Sequence, residues 1–360
     1  MQKKVFYSLV MSSFVLWGCN NIVTSSETNT KVPNEIYEKN VVEFLDSTQV
    51  NLTSGVQLHH IGLTVDGYSA LLSEKLERKI GRVIVDDEII LQQEQLTELL
   101  SDICSKVDIP ELVTPSEIDI EKIQFDFPQL SKQEILENLS TITLIYQSEI
   151  SSLAINSIVA MSNPDILVQR SIYDNTYDIR GEKITLGEVA ACLKHPFSAI
   201  TIKTQKETAY RLTAQYMKYS EHTDDKSDAF RHAIWNIVMA KEGWGLKGEK
   251  MAWARDFATA HEQGEKYDGL ASEMDLHNNK AGLNYYDSVS KRNYSKFLWW
   301  DIETGVSEPS YDVACNYIKQ KAINATLINK NTVSLETGRA KIKAVNSNNL
   351  VYIIPDNESY

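Results

Sequence analysis

Two histidines, His232 and His261, sit among acids and carboxamides whose spacing follows helix faces, and these residues carry whatever chemistry the sequence has. At about 100° per residue, Asp228, His232 and Asn236 make an i, i+4, i+8 stripe down one helix. Ala229, Phe230, Ala233, Ile234, Ile237 and Val238 lie on one flank of it, and Trp235 and Met239 on the other. A polar row with apolar surface on both sides is buried or lines a cleft, and its atoms must find partners there. A second helix, from about 249 to 263, places His261 within the apolar arc of Trp253, Ala254, Phe257, Ala258 and Ala260, with Glu262 at the edge. A third, beginning near Ser272, turns Asp275, Asn278, Asn279 and Gly282 the same way as Leu276, Leu283, Tyr285, Tyr286 and Val289. His277 falls on its opposite side.

Two imidazoles and a carboxylate are the donor set of a zinc or iron site with open coordination positions. On this reading His232, His261 and Asp275 are both the catalytic groups and the ligands of a divalent metal such as zinc. Glu262 is the candidate general base. Asp228, Asn236, Asn278 and Asn279 orient the centre, and Arg231 meets an anionic group of the substrate. The competing reading is a fully satisfied hydrogen-bond network that fixes helix packing without catalysis, in a protein whose function is to bind a partner. No stronger motif stands beside this cluster. The run His261-Glu262-Gln263-Gly264-Glu265 lacks the second histidine of a helix-borne zinc protease, and no nucleophile elbow, phosphate-binding glycine loop or paired-cysteine zinc site is present.

The three blocks Asp228-Ala-Phe-Arg-His-Ala-Ile-Trp-Asn236, Ala260-His-Glu262 and Met274-Asp-Leu-His-Asn-Asn279, followed by Gly282, together resemble a bacterial family of unknown function frequent in secreted and lipid-anchored proteins. Leu283 stands where that pattern carries a basic residue. The resemblance covers residues 228–282 and implies that the blocks act as one unit; it brings no established activity.

The elements that must position these residues read as mainly α, a helical bundle-like domain with a small β-hairpin near the C-terminus. Residues 56–195 form a helical N-terminal subdomain, with Leu71, Leu72, Leu76, Ile80 and Val83, then Leu96, Leu99, Leu100 and Ile103, at helix spacing. Ser131-Lys132-Gln133-Glu134 is a capping box expected to open a helix running through Leu144. Residues 196–360 hold the motif blocks, within 228–289, and the C-terminal β element. Its expected arms are Arg339–Val345 and Leu350–Ile354, around Asn346-Ser347-Asn348-Asn349. Gly282 inside a helix implies close approach of another element.

The N-terminus carries the address. Lys3 and Lys4 precede an apolar stretch, Val5 to Leu16, too short to span a bilayer but suited to a secretory signal. Leu16-Trp17-Gly18-Cys19 resembles a bacterial lipobox, in which the cysteine receives acyl chains of the palmitate type and becomes the first residue. Residues 1–18 are therefore the expected lipoprotein signal peptide, Cys19 the lipidation site and 19–55 a flexible tether. The chain is expected to be exported and lipid-anchored to a membrane of the bacterial cell envelope. More than one acyl chain suffices for stable anchoring.

The net charge of −13 gives no general attraction to nucleic acid. Asp225–Lys296 contains eleven basic and eleven acidic residues, so the motif region has no basic face either. Cys104, Cys192 and Cys315 lack metal-like spacing and lie among apolar neighbours, as core residues do.

Overall fold

The computed structural model describes residues 60–85, 88–163, 183–217, 223–264, 269–297 and 300–355, with 44, 50 and 168–169. The expected signal peptide, Cys19 and most of the tether lie outside the described residues. No helix among the described residues is long and apolar enough to cross a membrane.

The chain is mainly α, as its periodicity predicts. In order, the elements are α1 (Val65–Ile80), β1 (Glu88–Gln92), α2 (Gln93–Val107), α3 (Glu117–Asp126), α4 (Lys132–Glu137), α5 (Leu139–Met161), β2 (Val168–Gln169), β3 (Lys183–Thr185), α6 (Leu186–Lys194), α7 (Pro196–Ala199), α8 (Ile202–Tyr216), α9 (Lys226–Glu242), α10 (Lys247–Gly264), α11 (Leu270–Val289), β4 (Lys291–Phe297), β5 (Trp300–Ser307), α12 (Tyr311–Ile323), β6 (Thr326–Leu327), α13 (Leu335–Ala344) and β7 (Val351–Tyr352). Among the described residues the strands form three small antiparallel or parallel patches, with β1 between β2 and β3, β4 beside β5, and β6 beside β7.

Local chemistry sets many of the helix starts. Ser116, Ser131 and Thr185 each accept the amide three residues on, and the acid at that position returns a bond to the cap backbone. At Ser131 the expected helix is divided. Asn138 Nδ2 donates to the Glu134 carbonyl at 2.7 Å, ending α4, and α5 starts afresh at Leu139.

α9 is the centre of the fold. It packs on α8, α10, α11 and α12, and it is buried along nearly its whole length. One apolar core runs from Tyr68 and Leu72 of α1 through Leu193 of α6, Phe230 and Trp253 to Tyr286 and Ile318, so residues on both sides of position 195 share it. Helix α6 is the bridge, packing on α1 and on α10. A separate small core joins Leu270 and Met274 of α11 to Ile328, Ile342, Val351 and Ile353. Cys192 and Cys315 are buried and Cys104 half-buried, all as free thiols.

The C-terminal β element exists, with different partners from those expected. The expected hairpin arm Arg339–Val345 falls instead in and at the end of helix α13, which Ser334 opens by accepting the Thr337 amide with its side chain. The arm 350–354 does contain a strand, and it pairs in parallel with Thr326–Leu327, not with its sequence neighbour. Ile342 explains the difference: it turns inward into the small core as one position of a helical face, where strand alternation would have been needed for a hairpin. A long antiparallel hairpin lies instead at β4–β5, from Lys291 opposite Ser307 to Phe297 opposite Trp300.

Gly282 is where α11 meets α9. A Cβ there would fall 2.1 Å from the Ala233 carbonyl oxygen, on backbone that cannot swing aside. Gly282→Ala is expected to lower the free energy of unfolding by about 1–3 kcal/mol or more, read from the denaturant midpoint.

Candidate functional site

Asp225 caps α9 by accepting the Asp228 amide at 3.0 Å, which puts Asp228 in the first turn, where a carboxylate meets the positive end of the helix. One and two turns on come His232 and Asn236, all three buried as the stripe requires. From α10, Glu262 points into the same space and is 2% exposed. From α11 come Asp275, Asn278 and Asn279, the two asparagines fully enclosed.

A relay of polar contacts links the three helices. Asn236 Nδ2 donates to Asn279 Oδ1 at 2.7 Å, and Asn279 Nδ2 donates to Glu262 Oε1 at 3.2 Å. That same Glu262 oxygen lies 3.3 Å from His232 Nδ1. On the other side of the ring, His232 Nε2 is 3.3 Å from both Asp228 Oδ1 and Asp275 Oδ1. Arg231 donates to Asp228 Oδ1, and its guanidinium lies over the Tyr210 ring, 5.4 Å from the centroid. The Asp224 amide takes the second Asp228 oxygen at 2.5 Å.

The network is not closed. His232 Nδ1 and Asp275 Oδ1 are buried without a hydrogen-bond partner among the described residues, because the 3.3 Å approaches are off line. Charge crowding follows from the same geometry. Burial opposes a proton on His232, but Asp275, Asp228 and Glu262 outweigh it and hold the imidazole well above its ordinary value. Burial lifts the Asp275 carboxyl well above the usual carboxylate range; Glu262, Asp228 and Asp224 add to this and only His232 opposes it. Burial pushes Asp228 the same way, but His232 and Arg231 prevail and its value falls.

Asp228, His232 and Asp275 each offer one ligand atom, all within 4.8 Å of one another. The edges of 3.3 Å from Nε2 to each carboxylate oxygen match donors held about 2.0–2.1 Å from a tetrahedral ion, which stand roughly 3.3 Å apart. The residues fit a divalent cation.

The expected ligand set of His232, His261 and Asp275 is not the one that converges among the described residues. His261 and Glu262 are adjacent on α10, so their side chains leave the helix about 100° apart, and only Glu262 faces His232. His261 Nδ1 instead meets Glu188 Oε1 at 2.7 Å, and its ring stands edge-to-face on Trp235, 5.1 Å between centroids. Glu188, the inward acid of the α6 capping box, also accepts the Thr185 amide at 2.6 Å. Nothing in the motif blocks points to it; its only sequence signal is the capping box itself. Asp228, expected only to orient the site, joins the ligand atoms. Asn278 binds backbone of the C-terminal strand and not the cluster. His277 lies outside, as the wheel predicts, with Nε2 on the Asn349 carbonyl at 2.9 Å.

A second histidine–acid group, absent from the sequence reading, joins α6 to α10. Asp256 Oδ2 takes Lys194 Nζ at 2.6 Å and His195 Nε2 at 2.9 Å. Burial would raise Asp256, but those two partners drive it far below the usual range, as expected of a structural clasp.

The sign of the pH dependence follows from His232 and Asp275. Each binds its proton more tightly folded than unfolded, so each contributes stability that is lost as pH rises, His232 in the window above about 6.5. With divalent metal chelated, the melting temperature is expected to fall from about pH 6.5 upward, and His232→Gln to flatten that limb in a series of thermal melts.

A family model described as a domain of unknown function (DUF6973) matches residues 189–307, a span that includes all three motif blocks and helices α8 to α11. No curated protein matches the chain.

Proposed function

We propose that this protein is an exported lipoprotein, anchored through acylated Cys19, whose motif region is a divalent-cation-dependent hydrolase site. The observation that supports it best is the convergence of Asp228, His232 and Asp275 on one point with buried Asp275 Oδ1 left unpartnered. A network built only to hold helices together satisfies its members, since an unpaired buried polar atom costs about 1–3 kcal/mol. Here Asp275 Oδ1, one of two unpartnered atoms in the cluster with His232 Nδ1, belongs to the ligand set.

In this reading Asp228, His232 and Asp275 hold the cation. A bound cation lowers the pKa of its water toward about 7 and polarises an oxygen of the substrate. Glu262 faces Nδ1 of His232 and steadies the ring, the part an outer acid plays for a ligating imidazole. Asn279 and Asn236 hold Glu262 in turn. Arg231, anchored on Asp228 at the edge of the cluster, meets an anionic group of the substrate. The Glu188–His261 pair lies across Trp235 from the cation site and is a separate acid–imidazole unit.

One observation favours the noncatalytic alternative, a partner-binding lipoprotein with a structural cluster. Arg231 already pairs with the Asp228 oxygen nearest His232, so that carboxylate has a counter-charge without a metal. The two readings part on metal content. Elemental analysis of the purified chain is expected to show about one equivalent of zinc or another divalent ion, and Asp275→Asn to lose it while the far-ultraviolet circular dichroism stays unchanged. Absence of metal from wild type, with His232→Ala costing about 1–3 kcal/mol and nothing else, would establish the structural reading.

The anchor has its own test. Wild-type chain is expected to partition into detergent on phase separation, and Cys19→Ala to move to the aqueous phase.

A further inference from the structure

Both helices that deliver ligand atoms to the cluster are gripped by the same distant segment, which lies beyond the matched span 189–307. On the α9 side, Asp224 links them. Its amide donates to Asp228 Oδ2 at 2.5 Å, and its carbonyl accepts two amides of the C-terminal segment, Ile353 at 2.9 Å and Ile354 at 3.0 Å. Lys330 Nζ closes on Asp224 Oδ2 at 2.7 Å. Asp224 is held at φ +66°, a left-handed conformation that a non-glycine residue adopts only where its surroundings fix it.

On the α11 side the link is Asn278, nearly one turn beyond Asp275 and fully buried. Its Nδ2 donates to the Val351 carbonyl at 2.9 Å and its Oδ1 accepts the Val351 amide at 3.0 Å. One side chain therefore takes both main-chain groups of one residue, a pairing that fixes position along the strand as well as distance. Behind it, Val351 and Ile353 pack into the small core with Leu270 and Met274, the first turns of α11. Segment 350–354 thus reaches Asp228 through Asp224 and the helix of Asp275 through Asn278.

We propose that residues 350–354 are a positioning strap of the cation site, with Asp224 and Asn278 as its positioning residues. This rests on the reading of Asp228, His232 and Asp275 as that site. Two carboxylates on separate helices meet His232 Nε2 at equal distances of 3.3 Å, and the strap is bonded to both sides from outside the three motif helices. The functional unit accordingly extends to residue 354, well past the matched span.

Asn284 supplies the control, because its Nδ2 holds Ser347 and Asn348, just before the strap, and has no bond to the cluster. Zinc affinity of the full chain is measured by competition with a chromophoric chelator. The His232 ring signal is followed by NMR in the metal-free, 13C-histidine-labelled chain. Asn278→Ala is expected to weaken zinc about tenfold or more and to move the His232 signal, while Asn284→Ala stays within about twofold and leaves it in place. Ile354→Pro, which removes one amide to Asp224 at a half-buried position, is expected to behave as Asn278→Ala and serves if that variant does not fold. A folded Asn278→Ala or Ile354→Pro chain with wild-type zinc affinity and an unmoved His232 signal would overturn the strap. If the wild type binds no zinc, the cation reading fails separately and the His232 signal alone decides, its movement in both strap variants but not in Asn284→Ala upholding the positioning role.

Discussion

The contact of α9 with α11 at Gly282 is the constraint on which the rest depends. With no side chain at 282, the Ala233 carbonyl lies where a Cβ would be, and the two backbones approach more closely than ridge-into-groove packing of ordinary side chains allows. Only at that separation do Asn236 and Asn279 bond directly and does Asp275 come within 3.3 Å of His232. A wider gap would admit longer side chains or water between the helices, and the acids would no longer be forced into one another's fields.

Crowding of charge is the consequence. Asp228, Glu262 and Asp275 gather around His232, whose ring stands edge-to-face with Trp235, and Arg231 pairs with Asp228. Burial disfavours a carboxylate with little counter-charge, and Asp275, with Glu262, Asp228 and Asp224 acting on it and only His232 opposing, is the one raised. Asp228 is spared because Arg231 and the Asp224 amide both attend it. The inequality between two acids equidistant from one imidazole comes from those outer partners and not from their distance to His232.

The surroundings divide the two imidazoles of the motif blocks between two centres. Trp235 stands between them, edge-to-face with both His232 and His261, so each ring finds its own acid. Glu188 comes from α6, on the N-terminal side of the motif blocks, and Asp256 reaches back to α6 through Lys194 and His195. Helix α6 is thereby bound to α10 at both ends by ionisable pairs, while its apolar residues join the core.

Helix identity, the inward turn of Asp228, His232, Asn236, Asn278 and Asn279, and the close approach at Gly282 were all legible in the sequence, because a period of 3.6 fixes which side chains share a face. Periodicity assigns a face but not the partner opposite it. The angle between adjacent positions of α10 separates His261 from Glu262, yet which of them meets His232 depends on how α10 crosses α9, and that is set by packing of the whole core. Glu188 and Val351 reach their partners across 73 residues each, and no local pattern encodes contacts at such separations. The stretch 339–345 misled for the same reason: a short apolar–polar run fits either period, and the core that Ile342 enters makes it a helix. The sequence by itself determined what each helix turns inward; only the tertiary structure decided which of those groups meet, because burial is a property of one chain segment and coordination is a property of several.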